Sequence, residues 1–220
     1  MICLGLDPSL TNFGYALHDT EASGISRCVL RGRFQTPAKM AYIDRYITQR
    51  DRLRALIQRT KPDVVGIEYP VFDNLFSEGM YGLFLYSSEA LRLERKDVVF
   101  FSPGQIKAQA RLRIDRPPKW KMDKPDMVEA AKADTGGRGT WNHNEADAYW
   151  VAVVSARFWK LQREMITEAD LTPLEQQQFL KEHTFTRGKR AGRTVQSGIA
   201  YREDERFFLW SETPNGNTPL

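Results

Sequence analysis

The sequence predicts an α/β fold in which a mixed, five-stranded sheet is flanked by helices. Three strand-like segments come first, and two helix-then-strand units follow before a set of closing helices. Strands that alternate with helices are typical of sheets with parallel strands and helical layers on their faces. At 220 residues, the chain is long enough to bury a substantial core.

The five predicted strands differ in how deeply they should be buried. Residues 1–7, 13–18 and 25–34 read as a meander of strands joined by tight connections. Residues 64–67 and 98–101 are short, wholly apolar runs of the kind that is buried on both faces of a sheet.

Helices are predicted between and after these strands. Residues 39–60 place apolar side chains on one face, and Lys61-Pro62-Asp63 ends that helix. A second helix is expected over residues 77–95. The closing helices are expected over 105–112, where Ser102-Pro103 forms the start, and over 123–133 and 142–163.

The chain changes character after about residue 164. We therefore expect a main domain at 1–164 and a small basic C-terminal extension at 165–220, with a helix at 173–183 and a hairpin at 195–210. The net charge of +4 suggests a polyanionic partner, and basic residues concentrate at 111–124 and 181–193. A solvated charged loop is the alternative explanation of such runs.

Several classes of protein are disfavoured by the sequence. No stretch approaches 18 uninterrupted apolar residues, so we expect no membrane span, and the N-terminus does not resemble a signal peptide. Cys3 and Cys28 lie in predicted strands and are expected to be buried, reduced thiols. We therefore expect a cytoplasmic protein.

Three acids occupy positions where a fold would prefer apolar side chains. Asp7 and Glu68 each end an apolar strand, and Asp147 lies in an otherwise apolar helix. Such carboxylates are costly unless they are paired, hydrogen-bonded or bound to a cation. Together they would form a hard-oxygen site suited to Mg²⁺ or Mn²⁺. Taken singly, Asp7 could cap a turn, Glu68 could be an exposed strand end, and Asp147 could face solvent.

Five segments in order resemble motifs of the RuvC family of Holliday junction resolvases, which have an RNase H-like fold. They are Gly5–Ala16 (GLDPSLTNFGYA), Val65–Phe72 (VGIEYPVF), Phe101–Lys107 (FSPGQIK), Met122–Lys124 (MDK) and Glu145–Ala148 (EADA). Each string is short, whereas the ordered set over residues 1–160 is specific. A short core with a C-terminal extension is compatible with a phage-encoded member.

The chain departs from the family pattern three positions before the last aspartate. The family usually has aspartate or histidine there, whereas this chain has Asn144. On a helix, Asn144 and His143 share the face of Asp147, while Glu145 points elsewhere. Asn144 can offer a carbonyl oxygen but no charge. His143 could be a ligand, a proton-transfer group or only a helix-start residue, so the fourth ligand stays open.

The resemblance implies a crossover junction endodeoxyribonuclease, a phosphodiester hydrolase that uses two Mg²⁺ or Mn²⁺ ions. Two cations would activate a water molecule and stabilise the leaving oxygen. Asp7 would bridge the two ions, and Glu68, Asp147 and either Asn144 or His143 would complete their coordination.

The resemblance also implies contacts with branched DNA. Lys107 and Lys124 would contact phosphates, unless they serve only solubility. Phe72, with Tyr69, would stack on a base, unless Phe72 is a core residue. The basic arm would clamp the backbone through Arg187, Lys189 and Arg190.

A homodimer is implied, because a four-way junction offers two equivalent strands, and helix 77–95 is the expected interface unless its apolar residues face the sheet.

Three rival functions remain. An actin-like kinase would need two lobes, for which 220 residues leave no room. A hydrolase of RNA–DNA hybrids would use the same metal chemistry. A junction-binding protein that does not cleave would explain why Asn144 replaces an acid.

Overall fold

The computed structural model describes residues 1–68, 78–117, 119–137 and 139–180, with residues 182–184, 186, 192, 194–196, 199–201 and 212–213. Among these residues, no helix has both the length and the apolar character needed to cross a membrane. The described strands are β1 (Ile2–Asp7), β2 (Asn12–Asp19), β3 (Cys28–Gln35), β4 (Val64–Glu68), β5 (Asp97–Phe101), β6 (Glu182–Thr184), β7 (Thr194–Gln196), β8 (Ile199–Tyr201) and β9 (Glu212–Thr213). The described helices are α1 (Tyr42–Thr60), α2 (Glu78–Leu93), α3 (Pro103–Arg113), α4 (Lys124–Asp134), α5 (His143–Gln162) and α6 (Pro173–Phe179).

The main sheet has the strand order β3-β2-β1-β4-β5-β8. The first three strands form an antiparallel meander, and β1, β4 and β5 run parallel to one another. The predicted mixed, five-stranded sheet flanked by helices is therefore confirmed. A sixth strand, β8, joins the edge antiparallel to β5.

Side chains alternate between two apolar layers along each central strand, as the period of a strand requires. Leu4 and Leu6 of β1 belong to the cluster that contains residues of α1 and α2. Cys3 belongs to the opposite cluster, which contains residues of α3, α4, α5 and α6. The same alternation puts odd-numbered β1 residues, Asp7 among them, on the α5 face of the sheet.

Helix α5 lies unusually close to the sheet because glycines face it. A Cβ atom at Gly5 would lie 1.9 Å from the carbonyl oxygen of Ala148, and one at Gly14 would lie 2.2 Å from that of Asn144. Any larger residue would push the helix away. These glycines therefore fix where α5 presents its first two turns above β1 and β2.

Three local predictions are corrected by the structure. The third strand begins at Cys28 instead of residue 25, because Gly24–Arg27 forms a 3-10 helix. Helix α6 ends at Phe179 instead of residue 183, and residues 182–184 form strand β6. Within the predicted hairpin at 195–210, the described strands β7 and β8 do not pair with each other, since β7 pairs with β6 and β9 in a small second sheet while β8 joins the main sheet. Residues 197–198 and 202–210 lie outside the described residues.

The segment after residue 164 contributes to the main core. Phe179 of α6 contacts the rings of Phe101 and Phe158 at centroid distances of 5.7 and 5.4 Å. Glu175 pairs with Arg157 of α5. The division into 1–164 and 165–220 stays a prediction, and this packing favours a core that extends through α6.

Candidate metal and nucleic-acid site

Two of the predicted acids lie at the same edge of the sheet. Leu6 of β1 pairs in parallel register with Ile67 of β4, so the next residue on each strand is an acid, Asp7 or Glu68. Parallel neighbours in a sheet are about 4.8 Å apart. Strand alternation also places both side chains on the face covered by α5. These carboxyls therefore lie at the carboxyl ends of adjacent strands, where open α/β sheets build their sites.

The third acid, Asp147, lies in the first turns of α5. Asn142 caps this helix, since its side-chain oxygen accepts a hydrogen bond from the backbone N–H of Asn144 at 3.0 Å. Ala148 lies directly over Gly5, two residues before Asp7 on β1. Asp147, the residue before Ala148, is thereby held near the ends of β1 and β4.

The electrostatics show that the three carboxyls lie near one another. Burial, followed by the charges of Glu68 and Asp147, raises the pKa of Asp7 well above its usual value. Burial and then the charge of Asp147 raise the pKa of Glu68 to about 7. For Asp147, burial raises the pKa to about 6. This is the like-charge arrangement expected of a cation site.

The chemical type of the donors, carboxylate oxygens, is the one that a hard cation prefers. The Oδ1 atom of Asp147 is buried and has no hydrogen-bond partner among the residues that the structure describes. An unpartnered buried carboxylate oxygen costs free energy that a bound cation would offset. Within the described ranges, no ion pair joins Asp7, Glu68 or Asp147 to a basic residue.

The carboxyls interact without forming a closed cluster. Outside residues 69–77 and the undescribed parts of 181–220, no group of three or more His, Cys, Asp or Glu side chains has the geometry to hold a metal ion. Asp7, Glu68 and Asp147 are each half-buried. The structure thus shows three neighbouring acids that share an electrostatic environment, and their assignment as ligands stays a prediction.

Asn144 connects the helix to the sheet. Its side-chain N–H donates to the backbone carbonyl of Asn12 on β2, and the residue is buried. This contact commits the amide nitrogen to holding α5 in place. The amide oxygen is the atom that could serve a cation.

The neighbours of Asn144 point in different directions. Glu145 pairs with Arg31 and Arg33 of β3 at 3.3 and 3.7 Å, which confirms that it faces away from the acids. His143 is half-buried, and burial together with Lys124 and Arg33 lowers its pKa. His143 is therefore neutral at neutral pH, which suits either a ligand or a proton acceptor.

The two predicted phosphate-contacting lysines lie beside the acids. Lys107 on α3 and Lys124 at the first turn of α4 both lower the pKa of Asp7 and of Asp147. Lys107 also lowers the pKa of Glu68. Both helices begin with capping boxes, built on Ser102 and Asp123, which fix these helix starts.

Five predicted DNA-binding residues lie outside the described residues, so no contact is assigned to them. They are Tyr69, Phe72, Arg187, Lys189 and Arg190.

The sequence did not indicate the contacts that orient α5. Asn12 and Asn144 are 132 positions apart, and no local pattern links them. The glycines beneath α5 could have been recognised, because small residues in a buried strand often mark close approach of another backbone.

Comparison with known proteins gives consistent sequence similarities. The chain is 32% identical over 111 residues to the crossover junction endodeoxyribonuclease RuvC of Frankia alni, covering 49% of this chain and 56% of that protein. It is 34% identical over 68 residues to the RuvC of Chloroflexus aggregans, covering 31% and 41%. The chain thus spans about half the length of these curated relatives. No protein-family model matches it.

Solved structures share the fold. Thermus thermophilus RuvC superposes with a TM-score of 0.60 at 19% identity, covering 74% of this chain and 97% of that one. The structure described as T. thermophilus RuvC in complex with Holliday junction substrate gives a TM-score of 0.59 at 17% identity, with coverages of 73% and 96%.

The sheet order, the helices on both faces and the structural matches define the class of protein: the chain has an RNase H-like fold, with acids at adjacent strand ends. The chain is similar in sequence to parts of two RuvC proteins and has the fold of T. thermophilus RuvC.

Proposed function

We propose that the protein is a metal-dependent endonuclease that resolves Holliday junctions and other branched DNA by paired nicks. The observation that carries the proposal is the group of three mutually interacting carboxyls, Asp7, Glu68 and Asp147, at adjacent strand ends beneath α5. The similarity to curated crossover junction endodeoxyribonucleases supports this chemistry.

Asp7, Glu68 and Asp147 would hold two Mg²⁺ or Mn²⁺ ions, with the amide oxygen of Asn144 as the fourth ligand. Bound divalent ions supply an activated water molecule and charge stabilisation for the leaving oxygen. Asn144 suits this position because its N–H is already committed to β2, which leaves its oxygen available. The acids must be deprotonated to bind cations, and each bound cation would lower their raised pKa values.

The remaining residues would bind and orient the scissile strand. Lys107 and Lys124 flank the acids and would hold phosphate oxygens by charge. His143, neutral at neutral pH, can accept a proton beside the acids. One structural neighbour, T. thermophilus RuvC, is in complex with a Holliday junction substrate, which supports branched DNA as the substrate class. A cytoplasmic location stays a prediction.

A homodimer would present two such sites to the two equivalent strands of a junction. The proposed interface is the exposed apolar patch on α1 and α2. Of the apolar residues in the predicted interface helix 77–95, Leu85 is exposed, whereas Phe84 and Leu91 are buried in the core. Helix α1 adds further exposed apolar side chains beside α2: Tyr42, Ile43 and Ile47.

The test uses a labelled four-way junction, duplex, flap and RNA–DNA hybrid, each incubated with Mg²⁺ or Mn²⁺ and with wild-type protein or the Asp7→Asn variant. We expect symmetric nicks near the crossover from the wild type and none from the variant. Cutting of the hybrid alone would identify a different substrate and contradict the proposal.

One rival function has an observation in its favour. Asn144 carries no charge and already serves to hold α5, so the site has one acid fewer than the family pattern. A junction-binding protein that does not cleave would bind the four-way junction tightly and release no product with either ion.

A further inference from the structure

The loop between α3 and α4 carries a half-exposed aromatic side chain. Trp120 retains 48% of its accessible surface. Tryptophan is highly buried on average, so this exposure leaves ring surface open to a partner. Trp120 is not among the residues predicted above to bind metal ions or DNA.

The indole of Trp120 is fixed in place despite its exposure. Its Nε1–H donates to Asp126 Oδ2 at 2.8 Å, and its backbone N–H donates to the carbonyl of Pro117 at 2.8 Å. The guanidinium of Arg116 lies over the ring at 5.4 Å and also pairs with Glu129 at 2.9 Å. A ring anchored in this way loses little conformational entropy when a ligand stacks on it.

The surroundings of the ring are positively charged. Lys119 and Lys121 flank Trp120 in sequence and are exposed. Neither forms an ion pair with any acid in the part of the chain that the structure describes. The segment at 111–124 carries six basic residues against two acids. An aromatic ring between unpaired cations matches the chemistry of a nucleotide, which has a stacking base and a phosphate.

The ring lies at the end of α4 that faces the acids. Asp126, which holds the indole, is in the first turn of α4. Lys124, in the same turn, is close enough to Asp7 and Asp147 to lower the pKa of each. A nucleotide on Trp120 would therefore lie at the same end of α4 as Lys124.

We propose that Trp120, with Lys119 and Lys121, forms a stacking platform for an unpaired base of the branched DNA, distinct from the predicted contacts of Tyr69 and Phe72. The inference rests on the proposed function, since it adds a subsite to the same DNA-binding surface. The indole face would stack on the base, and the two ammonium groups would contact the adjoining phosphates.

The experiment measures binding of a fluorescently labelled four-way junction by anisotropy in EDTA, so that binding is separated from cutting. Stacking on an aromatic residue is worth about 1–3 kcal/mol, so Trp120→Ala should weaken binding by about 5-fold to 150-fold. Trp120→Phe, which keeps a π-face, should stay within about 3-fold of wild type. Trp120→Leu, which keeps only apolar bulk, should resemble Trp120→Ala.

A second tryptophan provides a matched control. Trp159 also donates its Nε1–H to a buried acid, Asp97, at 2.8 Å, and Arg163 lies over its ring at 5.1 Å. It lies near the C-terminal end of α5, away from the acids. Trp159→Ala should leave junction affinity unchanged.

The outcomes separate this proposal from the proposed function. If the wild type binds and nicks junctions and Trp120→Ala binds them equally well, the platform is wrong and the nuclease proposal stands. Equal losses from Trp120→Phe and Trp120→Leu would assign the ring a structural role and also overturn the platform. If the wild type neither binds nor nicks junctions, both proposals fail.

Discussion

At the scale of single residues, the three acids at the strand ends repel one another when they are ionised. Asp7, Glu68 and Asp147 have raised pKa values because they are desolvated and because Asp7 and Glu68 also sense neighbouring carboxylates. The folded protein therefore retains protons that the unfolded chain has released. The contribution of these acids to the stability of the metal-free protein should therefore decline as pH rises from about 4.5 towards 7, the window between the unfolded and folded pKa values of Glu68.

Replacing one of these acids should stabilise the protein while abolishing its response to cations. Asp7→Asn removes one interacting charge, and we expect the free energy of unfolding without metal to rise by on the order of 1 kcal/mol at pH 7.5. Added MgCl₂ should raise the melting temperature of the wild type and not of the variant. Thermal denaturation with and without MgCl₂ measures both effects. Asp51→Asn, at an exposed position on α1, should behave like the wild type.

A buried histidine, His18, also has a shifted pKa. His18 of β2 is buried, its Nδ1–H donates to the carbonyl of Arg27 at 3.1 Å, and its ring contacts that of Tyr149. Burial, with a smaller contribution from Arg27, lowers the pKa of His18 to about 4. The unfolded chain therefore binds a proton at His18 that the folded protein does not.

This histidine should make the protein sensitive to acid. Because the folded pKa is below the unfolded value of 6.5, the stability contributed by a neutral His18 should be fully present above pH 6.5 and fall by up to about 3 kcal/mol as pH drops towards 4, opposite in sign to the contribution of the three acids. Urea denaturation of the wild type and His18→Gln at pH 7, 5.5 and 4.5 isolates the contribution. The variant should be less stable at pH 7 and show a smaller loss on acidification. Identical losses would contradict the assignment.

At the scale of elements, the position of Asp147 depends on how closely α5 approaches the sheet. Gly5 allows that approach, and its strand ends two residues later in Asp7. The close packing of α5 on β1 therefore also sets the position of Asp147 relative to Asp7.

A single methyl group beneath α5 should damage both stability and activity. The Cβ of Gly5→Ala would fall 1.9 Å from the carbonyl oxygen of Ala148, and we expect a loss of about 1–3 kcal/mol in unfolding free energy with weaker metal-dependent nicking. Chemical denaturation and the junction assay measure these losses. Gly104→Ala on α3, where a Cβ would have no neighbour nearer than 4.0 Å, should be neutral or stabilising. Equal effects of the two variants would show that the contact with Ala148 is unimportant.

The elements also show what the sequence could and could not predict. The order of strands and helices, and the acids at strand ends, follow from apolar periodicity and from an acid at the end of a buried run. The 3-10 turn at Gly24–Arg27 is not predicted from the sequence, because an apolar residue such as Ile25 is typical of a strand, whereas the structure exposes it. The separation of β7 from β8 depends on pairing between segments distant in sequence, as does the contact of Asn144 with Asn12. Such contacts leave no local pattern.

At the scale of the whole molecule, two surfaces have different characters. The edge with the acids carries Lys107 and Lys124. The outer face of α1 and α2 exposes apolar side chains that a monomer would leave in water. A twofold dimer through α1 and α2 would cover those side chains without covering the acids, which lie on the opposite face of the sheet.

Charge placed in the apolar patch should dissociate the dimer. We expect the wild type to sediment as a dimer at micromolar concentration and Ile43→Lys/Leu85→Lys to sediment as a monomer, because buried unpaired ammonium groups disfavour the interface. Analytical ultracentrifugation gives the two masses. Lys substitution at Leu112, exposed on α3, serves as the control and should leave the dimer intact. A monomeric wild type would contradict the dimer.

The most direct test of the metal site is anomalous diffraction from crystals of the protein soaked in MnCl₂. We expect manganese peaks bounded by the carboxylates of Asp7, Glu68 and Asp147, and their loss in crystals of Asp147→Asn. Manganese bound elsewhere, with those three carboxylates left without a shared ion, would contradict it.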